Sequence, residues 1–261
     1  MTAVAFGGAI FDVDGVLVDS PHERAWEESL RELMEHEWRD VRPGTSWAPD
    51  RFTTELYQQV MAGKPRFEGA RAVLEHFGVP DLDRRTREYG DRKQQRVVEL
   101  IEAGEFHAFA DALRFLLDVK RLGIRVASAS SSKNAALFLE QIRLDTFAER
   151  EGIAGVPPGL TLLDAFDADV TGRDFPRGKP DPAIFLAAAE ELGLPPAACF
   201  VVEDAASGVQ AAKAGGMAAL GVARLHDEDL LRDAGADLVV TTLDEVDRDA
   251  LAAGRLERRP R

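Results

Sequence analysis

Two aspartates, Asp12 and Asp14, stand two residues apart in the stretch FDVDGVLVDS, directly behind an apolar run and directly ahead of Gly15. Side chains alternate along a strand, so both carboxylates are expected on one side while Val13 turns back to the core. Two like charges that close are costly unless a cation or a shared proton lies between them. A solvated Asp-Gly turn is the ordinary explanation of such a pair. The chemical explanation is a division of labour at phosphorus: one carboxylate attacks to form an aspartyl-phosphate, and the other moves a proton on or off the sugar or water oxygen. A hard cation such as Mg²⁺ would hold the first carboxylate beside a phosphate and cancel the repulsion between two anions.

Three later segments supply what such a site needs. SASSSKN, residues 128–134, offers hydroxyls and backbone N–H groups where a helix is expected to start, a small phosphate cradle, although serine-rich helix caps are routine. RGKPDPAIF, residues 177–185, sets Lys179 ahead of Pro180 and Pro182, which are expected to hold the loop extended until a helix begins. A lone lysine there would be a solvated loop charge. VVEDAASGVQAAKAGG, residues 201–216, ends a second apolar run on acids, Glu203 and Asp204, before a helix closed by Gly215 and Gly216. Two buried strands that end on acids are hard to explain as packing.

These segments need a frame to bring them together. Short apolar runs rich in β-branched residues recur at 4–11, 124–130, 199–203, 217–222 and 237–242, with helical patterns between most of them. That alternation predicts an α/β fold, a Rossmann-like parallel sheet with helices on both faces. Residues 21–104 read differently, with amphipathic periods at about 22–36, 50–62, 69–77 and 83–103 and no convincing strand. The expected organisation is a core domain of residues 1–20 and 105–261 with an inserted helical cap domain of residues 21–104. Ligands of open α/β sheets bind beyond the carboxyl ends of the strands, so an insertion leaving just after the first strand is expected to act as a lid.

Composition narrows the partners. With 261 residues, 45% of them hydrophobic, the chain is expected to be a folded globular protein. A net charge of −14 opposes a polyanion held by bulk electrostatics, so nucleic acid is not an expected partner, and a phosphate-bearing one must be small and gripped by a few placed cations. Cys199 is the single cysteine, in an apolar context, so no intrachain disulfide forms. Without an uninterrupted apolar stretch or a basic leader, neither membrane nor secretion is expected, and the reading is a cytoplasmic monomer. The basic ending GRLERRPR is expected to be an exposed, frayed tail.

Taken in order, DVDGV, SASS, KPDP and VVEDAASG resemble the motif set of the haloacid dehalogenase superfamily of Asp-nucleophile phosphotransferases, across residues 5 to about 222. The helical insertion, the segment HERAW at 22–26 and the SKN ending of the second motif are similar to the β-phosphoglucomutase group within it. The resemblance implies that Asp12 is the nucleophile and a Mg²⁺ ligand, and that Asp14 is the general acid/base, its backbone carbonyl also facing the metal. It implies that Ser130 and Lys179 hold the transferring phosphoryl group. Asp204 would complete the metal site, with Glu203 as a further ligand or a support for bound water.

The same resemblance assigns substrate contacts. GKPRFEGA, residues 63–70, reads as a loop between two helices and would present Gly63, Lys64 and a phosphate-binding Arg66, for a bidentate grip. Lys93 and Gln94 would touch the sugar, His22 would lie near the acid/base, Trp26 would be a further substrate-binding residue, and Ser131, Ser132, Lys133 and Asn134 would complete the core side. Each has a plainer reading: a charged connecting loop, an ordinary charged helix face, a surface histidine on a first helical turn. The implied activity is a Mg²⁺-dependent phosphosugar mutase that interconverts a β-sugar 1-phosphate and a 6-phosphate. The alternative is a phosphatase of small phosphosugars, and a catalytically idle binding relative is a third class. Departures from the family pattern are a short hinge between Ser20 and His22 and extra residues near 37–51 and 150–165.

Overall fold

The computed structural model describes residues 5–61 and 64–260. It divides into two compact units, Met1–Asp19 with His107–Arg261, and Ser20–Phe106.

The first unit is built on a six-stranded sheet. Its strands are β1 (Gly8–Phe11), β4 (Arg125–Ser128), β5 (Ala168–Asp169), β6 (Cys199–Glu203), β7 (Ala218–Val222) and β8 (Leu238–Val240); a separate antiparallel pair joins β2 (Val18–Asp19) to β3 (His107–Ala108). The large sheet is parallel throughout and runs β5-β4-β1-β6-β7-β8. In chain order that is the doubly wound arrangement, whose strand order reverses between β1 and β6. Helices α5 (Ala110–Arg121), α6 (Ala135–Gln141), α7 (Leu144–Arg150), α8 (Ala183–Glu191), α9 (Ala206–Ala214) and α10 (Glu228–Asp233) come before β8 in this unit, and α11 (Arg248–Ala252) follows it.

Alternation along the strands sorts the core into two layers. Ile10 and Val201 pack with Ile184, Phe185 and Ala188 of α8 and Val209 of α9. Phe11 and Phe200 turn the other way, with ring centroids 6.0 Å and 6.4 Å from that of Phe115 on α5. The α/β expectation therefore holds, with helices on both faces.

The second unit consists of α1 (His22–Glu35), α2 (Thr54–Val60), α3 (Arg66–His76) and α4 (Leu82–Glu102), and it has its own core. Trp26, Leu30, Leu33 and Met34 of α1 meet Val73 and Leu74 of α3 and Tyr89 of α4. The extra segment near 37–51 belongs to this core, because Trp38 and Trp47 are both buried in it. Arg85 lies 4.9 Å from the Trp38 ring and Arg42 lies 5.0 Å from the Trp47 ring.

Several local expectations are corrected. The basic C-terminal stretch is tied down: Arg258 bridges to Val246 and donates to the Val239 carbonyl at 2.8 Å, and the Arg259 N–H donates to the Glu245 carbonyl at 2.7 Å. The loop carrying Lys179 is not extended; it turns through a cis Lys179–Pro180 bond, and Pro182 sits in the helical region as the cap of α8. Strand β1 starts at Gly8, and Val4 lies outside the described residues. The helix expected at 50–62 starts at Thr54, where the Thr53 hydroxyl accepts from the Leu56 N–H. The segment near 150–165 is fastened, with the Gly159 N–H on Asp145 at 2.7 Å and Arg121 on the Ala154 carbonyl at 2.9 Å.

Candidate active site

Ladder hydrogen bonds continue past the strand ends and place the residues that follow. The Asp12 N–H donates to the Val202 carbonyl at 3.0 Å, and the Ala129 N–H donates to the Phe11 carbonyl at 2.8 Å. Asp12 and Ser130 are thereby set at the carboxyl edge of the sheet, with Asp12 at the strand-order reversal where α/β sheets bind ligands. Glu203 and Asp204 arrive there at the end of β6.

Lys179 joins the two acid-terminated strands. Its Nζ donates to Asp12 Oδ1 at 2.6 Å and to Glu203 Oε1 at 2.5 Å, and it is itself largely buried. The second oxygen of Glu203 accepts the N–H groups of Asp204 and Ala205, both at 2.9 Å. Both Glu203 oxygens are thus engaged, and this carboxylate holds Lys179 and the loop bearing Asp204. Helix α9 must come very close to it: a Cβ on Gly208 would lie 1.8 Å from Glu203 Oε1.

Asp14 and Ser130 meet across the same edge, with Ser130 Oγ donating to Asp14 Oδ2 at 3.3 Å. Ser130 Oγ also accepts the Ser132 N–H at 3.1 Å, curling the loop before α6. Gly15 next to Asp14 has φ +84°, and a Cβ there would stand 1.9 Å from Asp204 Oδ2. Glycine is therefore required at that position by both conformation and space.

The charge balance of this edge is negative. Burial pushes the Asp12 carboxyl above its usual range, with Glu203 and Asp14 adding to the push and Lys179 opposing it. Burial likewise raises Asp204, helped by Glu203 and Asp12. For Lys179, burial alone would favour the neutral amine, but Asp12 and Glu203 outweigh it and keep the ammonium charged. Among the described residues no three His, Cys, Asp or Glu side chains form a ready metal-holding group. The carboxylates of Asp12, Asp14 and Glu203 are instead turned to Lys179 and Ser130. An oxygen-only donor set with an excess of negative charge is the chemistry that suits a hard divalent cation, and Asp12, Asp204 and the Asp14 main chain are the groups that could hold one.

The remaining candidates divide between the units. In the first, Ser131 and Lys133 are exposed, Ser132 is half-buried and Asn134 is buried. Lys133 Nζ is drawn to a neighbouring loop, donating to the Gly172 carbonyl at 2.6 Å and to Asp174 at 2.7 Å. In the second unit, His22, Trp26 and Lys93 come together: Lys93 Nζ lies 3.4 Å from His22 Nδ1 and 5.1 Å from the centre of the Trp26 ring. Gln94 is half-buried on the same helix as Lys93. Lys64 is exposed, and Gly63 lies outside the described residues. Arg66 is the first residue of α3 rather than part of a loop, with its guanidinium 4.7 Å from the Phe67 ring centre.

Two features escaped the sequence reading. Gly208 is one, and its only signal is the glycine in the first turn of the helix behind Glu203. The other is Arg224, two residues beyond β7, a third apolar strand followed closely by a charge.

A sheet that reverses its order at an acid-bearing strand, with a lysine and a second acid-bearing strand closing on it, matches a known family. The haloacid dehalogenase-like hydrolase model matches residues 6–216, and the chain belongs to that family. It is similar to the β-phosphoglucomutase of Mycobacterium tuberculosis (strain CDC 1551 / Oshkosh), 32% identical over 252 residues, 91% of this chain and 90% of the relative. It is also similar to the phosphorylated carbohydrates phosphatase of Thermotoga maritima, 30% identical over 234 residues, 88% of this chain and 92% of the relative. Among solved structures, the archaeal β-phosphoglucomutase from Pyrococcus sp. strain ST 04 superimposes with a TM-score of 0.70 at 30% identity, over 95% of this chain and 99% of that one.

Proposed function

We propose that this member of the family is a Mg²⁺-dependent phosphosugar mutase of the β-phosphoglucomutase type, interconverting a β-sugar 1-phosphate and its 6-phosphate. The observation that carries the reading is the convergence of Asp12, Lys179 and Glu203 at the ends of β1 and β6, with Asp14 and Ser130 beside them.

In this mechanism an Asp12 oxygen attacks phosphorus while the bond from phosphorus to the donor oxygen breaks, and Asp14 gives that oxygen its proton. In the return step Asp14 takes the proton of the accepting sugar hydroxyl, which attacks the phospho-Asp12 and leaves the nucleophile restored. Because the accepting hydroxyl belongs to a sugar monophosphate, the return step forms a sugar bisphosphate, which must exchange its two ends before Asp12 takes the other phosphoryl group. Lys179 and Ser130 hold the phosphoryl oxygens in transfer, and Glu203 keeps Lys179 charged and aimed. Bound Mg²⁺ supplies the positive charge that lets an anionic carboxylate approach an anionic phosphate. Arg66 is a proposed grip on the phosphate that is not reacting, and Lys133 and Asn134 of the first unit and His22, Trp26, Lys64, Lys93 and Gln94 of the second are proposed substrate-side residues.

A phosphatase of small phosphosugars is the second reading, favoured by the Thermotoga maritima phosphatase, which matches this chain over nearly the same share as the mutase. The two differ in the acceptor, water or a sugar phosphate. A panel of α- and β-sugar 1-phosphates, with 6-phosphate and free phosphate measured separately, tests the choice. The mutase yields 6-phosphate, with a lag that a trace of sugar 1,6-bisphosphate removes. Arg66→Ala should then lower turnover on the order of 10²-fold, the loss of one bidentate charge-assisted contact, while aryl phosphate hydrolysis changes little. Stoichiometric free phosphate without 6-phosphate assigns the chain to the hydrolases.

A further inference from the structure

We infer that Arg224 is a positioning residue for Asp14, acting through the main chain of the loop behind it. The inference rests on the proposed role of Asp14 as general acid/base.

Arg224 follows β7 and is largely buried, as is its partner Asp111 in the first turn of α5. Its Nη1 donates to Asp111 Oδ2 at 2.8 Å and its Nη2 to Asp111 Oδ1 at 3.1 Å, a two-pronged pairing. Asp111 is itself fixed, accepting the Thr242 hydroxyl and the Leu243 N–H, both at 2.8 Å. The guanidinium lies 4.0 Å from the centre of the Phe109 ring, and the Phe109 N–H donates to the Leu17 carbonyl at 2.9 Å. Carboxylate and ring together fix the plane of the fork.

What remains of the fork points at the Asp14 loop. Nε donates to the Gly15 carbonyl at 3.4 Å and Nη2 to the Val16 carbonyl at 3.3 Å. These contacts are long for neutral partners, but the cationic donor strengthens them in a low-dielectric setting. The loop is a tight turn, closed by Gly15 N–H to the Val18 carbonyl at 2.8 Å and Leu17 N–H to the Val13 carbonyl at 2.9 Å. Gly15 also lies against the Asp204 carboxylate, where no Cβ fits. The peptide next to Asp14 is therefore held by an anion against its Cα and by a cation on its carbonyl, and a shift of either moves the Asp14 carboxylate relative to Ser130.

A salt bridge that merely fastened α5 to the sheet would need only the Asp111 pairing. Contact with both carbonyls requires the planar fork, which lysine lacks. An acid/base out of place costs most where the leaving oxygen needs a proton and least where it does not.

The test uses the full chain with Mg²⁺ and compares Arg224→Gln and Arg224→Lys with the parent on a sugar phosphate and on an activated aryl phosphate. Assays are run well below each variant's unfolding temperature. We expect kcat on the sugar phosphate to fall by about tenfold or more while KM stays within about twofold, and kcat on the aryl phosphate to fall far less. Hydrogen exchange should quicken across residues 13–18 in both variants and remain unchanged in α8. If Arg224→Gln does not fold, Arg224→Lys carries both readouts. Equal losses on the two substrates, or unchanged exchange at 13–18, overturns the positioning role and leaves phosphoryl transfer standing. A parent inactive on both substrates overturns the inference together with the function it rests on.

Discussion

The surface of the helical unit and the interior of the sheet unit use charge in opposite ways. In the helical unit, cations and acids pair along exposed and half-buried faces: Arg24 with Glu28 and Glu105, Arg92 with Glu32 and Glu37, Arg96 with Glu28 and Glu99. Water screens such pairs, and each contributes little. In the sheet unit, Lys179 is shut between Asp12 and Glu203, and Arg224 is shut against Asp111. There each charge is costly to bury and strongly coupled to its neighbours, so it acts on protonation and position rather than on solubility. Even the cations buried in the helical unit follow a different rule, with Arg85 and Lys93 resting on tryptophan faces.

Removing the anion at Asp12 should produce the largest effect. Asp12→Asn should lower phosphoryl transfer on the order of 10⁴-fold or more while circular dichroism stays unchanged. A soluble variant retaining more than a few per cent of parent activity would remove Asp12 from the nucleophile's place. Chelation comes next. Stripping divalent cations should silence the enzyme, and Mg²⁺ should restore it and raise the unfolding temperature, by about 2.7 kcal/mol of stability at a hundredfold excess over Kd. Activity untouched by a chelator would mean that Lys179 alone balances the edge.

The next effect concerns stability and its pH dependence. Burial alone would raise the Asp111 carboxyl, but Arg224 and the Leu243 N–H hold it below the ordinary carboxylate value. Its stabilisation is therefore complete above the unfolded value, near pH 4, and fades as pH falls through the lower folded one. Asp111→Asn should cost about 2–3 kcal/mol at pH 7, and its difference from the parent should shrink in denaturant titrations below about pH 4. A difference constant down to pH 2 would show that the carboxylate's charge is not the source. The smallest effect is expected on the other side of the comparison, where Arg24→Ala should change stability by at most about 1 kcal/mol and lose even that in 1 M salt. A cost equal to that of Asp111→Asn would erase the distinction between the units.

How much of this was legible beforehand follows the range of each interaction. Asp12, Asp14, Glu203 and Asp204 stood out because a local contrast, an apolar run closing on acids, marks the end of a buried strand. Lys179 stood out only as one of an ordered set, since its partners lie far along the chain. Arg224 with Asp111 was silent for the same reason without the set to help: nothing around either residue announces the other. Strand β5 has only two residues, too short for any periodicity to register. The C-terminal stretch is exposed, as its composition suggests, but not frayed, because bonds from Arg258 and Arg259 to Val239 and Glu245 hold it. Arg66 was placed in a loop because Gly and Pro precede it, but Pro65 serves as the cap of α3.

The short antiparallel ladder of Val18 with Ala108 and Asp19 with His107 puts the chain's departure from the sheet unit beside its return. For the topology of that unit, everything between is a hairpin loop, however long. Closure entropy grows only with the logarithm of loop length, about 0.6 kcal/mol for each doubling, so the sheet unit is almost indifferent to how much chain is threaded through that gate. An inserted unit could be lengthened, shortened or exchanged there while the strand-end carboxylates remained undisturbed, so the insertion and the sheet unit are free to vary separately.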